Sequence, residues 1–80
     1  MNGSKIAAAG SRRAAFGHRV RLLRVARGMS QEDLAEAAQL HRTYISSLER
    51  GLRNIGLDNI YALADALEVE PSELFRIGGL

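Results

Sequence analysis

The chain contains no cysteine, which removes disulfides, iron–sulfur clusters, thiol nucleophiles and cysteine-based zinc sites together. Long apolar runs are missing too. Runs such as Ile6-Ala7-Ala8-Ala9 fall far short of the ~20 residues that a membrane-spanning helix requires. Tryptophan is absent and proline occurs once, at Pro71. No stretch alternates with a period of two for long enough to argue a strand. The two histidines, His18 and His41, are too few and too isolated for a metal site, and His41 reads as an exposed turn residue. No carboxylate pair, nucleophile–base pair or glycine-rich phosphate loop stands out. An enzyme is therefore not expected, and neither is a metal or other cofactor. Eighty residues allow one domain. A chain this short buries only about 60–65% of its unfolded surface, which leaves little room for a catalytic cleft beside the core. Its 46% hydrophobic and 25% charged residues describe a soluble globular chain.

Acidic residues are missing from the first part of the chain. Lys5, Arg12, Arg13, Arg19, Arg21, Arg24 and Arg27 all precede the first of them, Glu32. Through Arg53 there are ten basic residues against four acidic ones; from Asn54 onward a single Arg76 faces Asp58, Asp65, Glu68, Glu70 and Glu73. A net charge of +2 thus hides a basic portion suited to a polyanion. A solvated amphipathic helix face stays open as the alternative on charge alone.

Ser11-Arg12-Arg13-Ala14-Ala15-Phe16 has the outline of a twin-arginine export signal, but an apolar stretch of ~7–15 residues must follow one. Here Gly17-His18-Arg19-Val20-Arg21 follows, so a cytoplasmic location is expected. Residues 1–11, rich in Gly, Ser and Ala, read as a flexible N-terminal tail ahead of a single domain over 12–80.

Within that domain the 3.6-residue period recurs throughout. Phe16, Val20 and Leu23 form one stripe of a helix from Phe16 to Arg27, which Gly28 stops in a left-handed conformation. Ser30 is an N-cap with Asp33 in the capping-box position, and Glu32 and Asp33 suit the positive end of the dipole. The second helix runs Gln31 to Ala38 with Leu34, Ala35 and Ala38 inward. After a break at Gln39-Leu40-His41, a third helix spans Arg42 to about Arg50, with Ile45 and Leu48 inward and Gly51 closing it. A fourth covers Leu57 to Leu67, its stripe being Leu57, Ile60, Ala64 and Leu67, with Tyr61 and Leu63 on the flanks. Pro71 opens a short fifth helix, Ser72 to Phe75. The expected fold is an all-α, compact five-helix bundle.

The informative segment is Ser30 to Gly51, two short helices joined by so tight a turn that they must cross steeply. Leu34, Ala35, Leu40, Ile45 and Leu48 fall into one small core. Arg42, Thr43, Tyr44, Ser46 and Ser47 are left at the exposed start and outer face of the second of these helices. Such side chains suit a DNA major groove: an arginine that grips guanine bidentately, hydroxyls, and a threonine methyl for thymine. Tyr44 as an aromatic at the core edge remains open. Ser46 and Ser47 cannot both face bases, so Ser46 belongs to the backbone side or packs on the preceding helix.

The run Ser30-Gln31-Glu32-Asp33-Leu34-Ala35, followed by Leu40 to Gly51, resembles the helix-turn-helix of the phage repressor and Cro (XRE-type) superfamily. The likeness covers residues 16 to 75. Within it, Arg42-Thr43-Tyr44-Ile45-Ser46, Glu49-Arg50-Gly51 and Arg53-Asn54 look most like restriction–modification controller proteins. The resemblance implies a lambda-repressor-like DNA-binding bundle and a role for each matching position. Gln31 binds a backbone phosphate and braces the reading helix. Arg42, Thr43 and Ser47 face bases, Tyr44 lies against phosphate or a thymine methyl, and Arg53 with Asn54 touches phosphate or minor groove. Arg24 pairs with Glu49 at a buried architectural position. Where relatives often carry proline and a Ser/Thr cap, this chain has Asn54-Ile55-Gly56, so a late start of the fourth helix is expected.

One such module offers ~600–1,000 Å² and few base contacts. A homodimer is therefore expected, reading an inverted repeat in double-stranded DNA with half-sites ~34 Å apart. Leu57, Ile60, Tyr61, Leu74 and Phe75 are the apolar positions available to join a second copy. The expectation is a DNA-binding transcriptional regulator with no small-molecule effector and no membrane partner. A phage-type repressor, an antitoxin and a helical protein-binding adaptor are the rival readings.

Overall fold

The computed structural model describes residues 2–76 as four α-helices and one 3₁₀ helix, with no strand among them. In chain order these are α1 (Asn2–Ala26), α2 (Gln31–Ala38), α3 (Arg42–Glu49), α4 (Leu57–Leu67) and the 3₁₀ helix Pro71–Phe75. Met1 and residues 77–80, the two ends of the expected tail and domain, lie outside the described residues.

The expected five α-helices are thus four and a single 3₁₀ turn. Pro71 opens that turn as expected, but five residues with no side-chain cap hold only i→i+3 bonding, the tighter geometry usual in such short pieces. A larger difference is at the start. α1 begins at Asn2 rather than near Phe16, and takes in most of the segment read as a flexible tail. Ile6-Ala7-Ala8-Ala9 accounts for the helical backbone, because alanine has the highest intrinsic helix propensity.

Punctuation fixes the middle of the chain. Gly28 and Gly51 take φ of +70° and +78°, where an L side chain is strained. The Ser30 hydroxyl accepts from the Asp33 N–H at 2.9 Å, and the Asp33 carboxylate accepts from the Ser30 N–H at 2.9 Å, a complete capping box. α4 starts at Leu57 despite its uncapped Gly56, so the expected late start does not occur.

The core gathers Phe16 and Val20 from α1, Leu34, Ala35 and Ala38 from α2, and Ile45 and Leu48 from α3. Leu63, Ala64 and Leu67 of α4 complete it with Leu74, and Leu23 and Leu40 pack at its edge. The inward face of α4 is therefore rotated from the expected one. Leu63, placed on the flank, is fully buried, while Leu57, placed in the stripe, is 67% exposed. Ile60, Leu63, Ala64 and Leu67 make an i, i+3, i+4, i+7 face, and Leu57 belongs to a first turn that overhangs it. α3 packs against both α1 and α2, and the 3₁₀ helix bridges α1 and α4. No helix among the described residues is long and apolar enough to cross a membrane.

Candidate nucleic-acid interface

α3 is locked in place from behind. The Arg24 Nε donates to Glu49 Oε2 at 2.7 Å and its Nη2 donates to Glu49 Oε1 at 3.0 Å, while Nη1 donates to the Met29 carbonyl at 2.7 Å. Both side chains are almost wholly buried. The hydrogen bond to Glu49 raises the Arg24 pKa above its ordinary value, outweighing the opposing effect of desolvation. Gln31 joins the pair from the first turn of α2, donating its amide to Glu49 Oε1 at 3.1 Å. This places Gln31 as a brace for α3 and leaves the second N–H of its amide uncommitted.

Gly17 permits the closeness of α1 to α3. A Cβ there would overlap the Leu48 carbonyl oxygen and lie 2.8 Å from that of Glu49. Likewise, a Cβ on Gly51 would lie 2.7 Å from the Ala14 Cα. The end of α3 and the loop after it are thus seated directly on the α1 backbone.

With its back fixed, α3 presents Arg42 and Thr43 outward from its first turn, both exposed. Tyr44, Ser46 and Ser47 are half-buried. Neither Arg42 nor Thr43 makes a side-chain hydrogen bond to another described residue, so both are free for a ligand. Ser47 is already engaged: its hydroxyl donates to the Tyr44 carbonyl at 3.0 Å and accepts from the Arg53 Nε at 2.8 Å. The Arg53 guanidinium lies over the Tyr44 ring, 5.1 Å from its centroid. Asn59 of α4 donates to the Tyr44 hydroxyl at 3.0 Å. Tyr44, Ser47 and Arg53, expected as separate contacts, therefore form one cluster tied to α4, whereas Asn54 stands exposed beside it. Sequence reasoning missed Asn59. Its one signal is a polar side chain next to Ile60, on the edge of α4 that faces the loop.

The basic footprint is sorted by the fold. Arg19 bonds Glu73 at 3.2 Å, Arg27 bonds Glu68 at 2.7 Å and Arg76 bonds Glu73 at 3.4 Å. Arg42, Arg50 and Arg53, on α3 and its following loop, have no carboxylate partner among the described residues, and neither do Arg12, Arg13 and Arg21. A shallow groove of about 140 Å³ adjoins the loop, with Phe16, Ile55, Ile60 and Phe75 as its apolar lining and Arg12, Arg13 and Arg53 beside them.

Of the positions expected to join a second copy, Leu57 and Tyr61 are exposed and Ile60 is half-buried. Phe75 packs one side against Phe16, with ring centroids 5.2 Å apart, and remains 52% exposed. Leu74 must be withdrawn: at 0% exposure it is a core residue of the protomer and presents no surface. The α4 region is also not the sole apolar surface, because Leu22 and Val25 stand exposed on α1. Among the described residues no group of three or more His, Asp or Glu side chains is placed to hold a metal ion.

Comparison with known proteins bears on what such an arrangement does. A helix-turn-helix family model matches residues 20–74. The control protein C.BamHI of Bacillus amyloliquefaciens is 53% identical over 60 residues, covering 74% of this chain and 74% of its own. The crystal structure of the restriction–modification controller protein C.AhdI from Aeromonas hydrophila superposes with a TM-score of 0.77 at 53% identity, over 78% of this chain and 94% of that one. A second structure, the controller protein C.Esp1396I as a tetramer in complex with its natural 35 base-pair operator, aligns with a TM-score of 0.71 at 35% identity, over 78% of this chain and 82% of the other.

Proposed function

The chain belongs to the helix-turn-helix regulators of the restriction–modification controller type, and from that membership we propose that it is a sequence-specific DNA-binding transcriptional regulator that reads inverted-repeat operators as a homodimer. The observation that carries this reading is the partition of α3. Its inner face is bolted to α1 and α2 through Glu49, Ile45 and Leu48, while Arg42 and Thr43 project from its first turn without partners. An eight-residue helix is ~12 Å long, and the major groove is ~12 Å wide. Arg42 grips a base edge, Thr43 lends its methyl and hydroxyl, and Tyr44 with Ser47 presents the Arg53 fork to phosphate or minor groove. Gln31 keeps one amide N–H for a backbone phosphate, and Ser46 and Asn54 line the backbone side.

Dimerisation uses Leu57, Ile60, Tyr61 and Phe75, on a part of the chain whose charge is acidic rather than basic. C.Esp1396I is crystallised as a tetramer in complex with its natural 35 base-pair operator; for this chain, two dimers on one operator suit a regulator that responds to its own concentration. The protein works in the cytoplasm, without catalysis, cofactor or small-molecule effector.

The test starts from a random duplex pool, from which the wild-type protein enriches its inverted repeat. Arg42→Ala then loses ~1–3 kcal/mol of discrimination at one base pair of each half-site. Equal weakening on every sequence shows instead that Arg42 holds phosphate, and the base-reading assignment fails.

A further inference from the structure

The matched family region begins at residue 20, which leaves the N-terminal part of α1 without a role. That part does not stop where α1 is packed. α1 meets the end of α3 at Gly17 and the Gly51 turn at Ala14, then continues back to Asn2, a further ~18 Å at 1.5 Å per residue. Arg12 and Arg13 occupy the first turn beyond that crossing. Both are exposed, and neither has a carboxylate partner among the described residues. Farther along, Arg19 and Arg24 of α1 and Arg27 just after it are paired, whereas Arg21, outside the groove, is not.

Arg12 and Arg13 border the same groove as Arg53, and Arg53 is bonded to Ser47 and stacked on Tyr44 of the reading helix. A continuous cationic track therefore runs from the exposed face of α3, through the loop, onto α1. Three guanidinium groups around one groove repel each other until an anion lies between them. Planar guanidinium forks match phosphate oxygens closely.

We propose that Arg12 and Arg13 form a second DNA-backbone contact, which with Arg53 clasps the phosphates passing the C-terminal end of the reading helix. The proposal rests on the DNA-binding function given above and extends the contact surface to a part of the chain ahead of the family match. Ile60 and Phe75 of the groove's apolar lining belong to the subunit contact given above, whereas the three arginines on its border carry charge of one sign, which favours a polyanion.

The experiment compares wild-type protein, Arg12→Gln/Arg13→Gln and Arg12→Lys/Arg13→Lys on a mixed-sequence duplex of about 30 base pairs, over roughly 50–200 mM salt. Each neutralised phosphate contributes about 0.9 to the slope of log K against log salt. The glutamine pair is expected to flatten the slope by about 1.8 per protomer. The lysine pair should retain it, and sedimentation should show all three proteins with the same dimer constant. An unchanged slope in the glutamine pair overturns the proposal. So does a flattened slope that accompanies dissociation, because the two arginines then serve the subunit contact. A wild-type protein whose DNA binding ignores salt, or is absent, refutes the DNA-binding function itself, a different failure from an idle α1 segment.

Discussion

Replacing Gly17 by alanine tests the claim that α3 is seated on the backbone of α1. In an exposed helix interior this substitution gains about 1 kcal/mol, since alanine is the better helix former. Here the added methyl meets main-chain carbonyls rather than flexible side chains, overlapping that of Leu48 and lying 2.8 Å from that of Glu49. Neither carbonyl can swing aside without breaking up the end of α3, so the two helices must separate by roughly 1 Å to restore ordinary contact. That separation loosens Val20, Ile45 and Leu48, which are essentially fully buried, and strains the bidentate Arg24–Glu49 pair across the same interface. Overpacking of a core costs ~1–3 kcal/mol, and with the ion pair strained the net loss should be about 2–4 kcal/mol. For a domain of this length, stable by about 4–12 kcal/mol, the loss is large. Gly10 of the same helix is the internal control, because a Cβ there meets nothing within 4 Å. Urea titration followed by helical circular dichroism, at one fixed protomer concentration, should show a lower midpoint for Gly17→Ala and an equal or higher one for Gly10→Ala. If Gly17→Ala matches or exceeds wild type, the close crossing is not what holds the reading helix, and the positioning argument fails.

The Arg24–Glu49 pair should behave as a buried pair. Arg24→Met alone strands a carboxylate and costs ~3–5 kcal/mol, whereas Arg24→Met with Glu49→Leu should recover much of the loss; purely additive denaturation midpoints would show that the two residues do not interact. The capping box predicts an acid-side effect. Hydrogen bonds from the Ser30 backbone, and secondarily its side chain, hold the Asp33 pKa below the usual 3.8. Its contribution to stability is therefore complete above the unfolded-state value and disappears as pH falls through the folded one. Asp33→Asn should remove that part of the pH dependence, and an unaltered acid limb in thermal melts would contradict it. Ser30→Ala should cost about 1 kcal/mol at neutral pH.

What could be read in advance was whatever neighbouring residues decide between themselves. The bounds of α2, the Ser30–Asp33 box, the left-handed stop at Gly28 and the close of α3 at Gly51 are all local, and each appears where its residues demand it. Elsewhere the local signal is weak. α2 and α4 end on Gln39 and Glu68, whose φ values are 58° and 56°, and neither is a residue type that announces a left-handed cap. α1 begins early because helix propensity in Ile6–Ala9 outweighs the Gly and Ser that suggested a tail. The tie from Asn59 to Tyr44 depends on where α4 lies relative to α3, which no spacing within either helix records. The Arg24–Glu49 pair came from resemblance, because residues 25 apart carry no periodic relation. Leu57 and Leu63 exchanged places for a related reason: the apolar pattern of α4 is broad enough for two faces, and only contact with α2 and the 3₁₀ helix selects one.

The charge pattern along the chain acquires its meaning only after folding. Taken in sequence, a basic first part and an acidic last part suggest one cationic end and one anionic end. Folding brings the acidic part back over α1, so that Glu73 and Glu68 neutralise Arg19 and Arg27. Glu49 lies inside, holding Arg24. Among the described residues, the arginines without a carboxylate partner are those on α3 and its loop, together with Arg12, Arg13 and Arg21 of α1. Acidic residues thus restrict where positive charge is available instead of diluting it uniformly. That arrangement favours one orientation of the protein on a polyanion, because electrostatic attraction is sequence-independent and would otherwise hold many orientations equally well. Orientation comes first; only then can Arg42 and Thr43 discriminate between bases. On this reasoning Glu73→Gln, which frees both Arg19 and Arg76 of their carboxylate partner, should strengthen binding to mixed-sequence duplex while narrowing the ratio of operator to random affinity. A variant that gains affinity for both in equal proportion would show that the placement of the acids has no bearing on specificity.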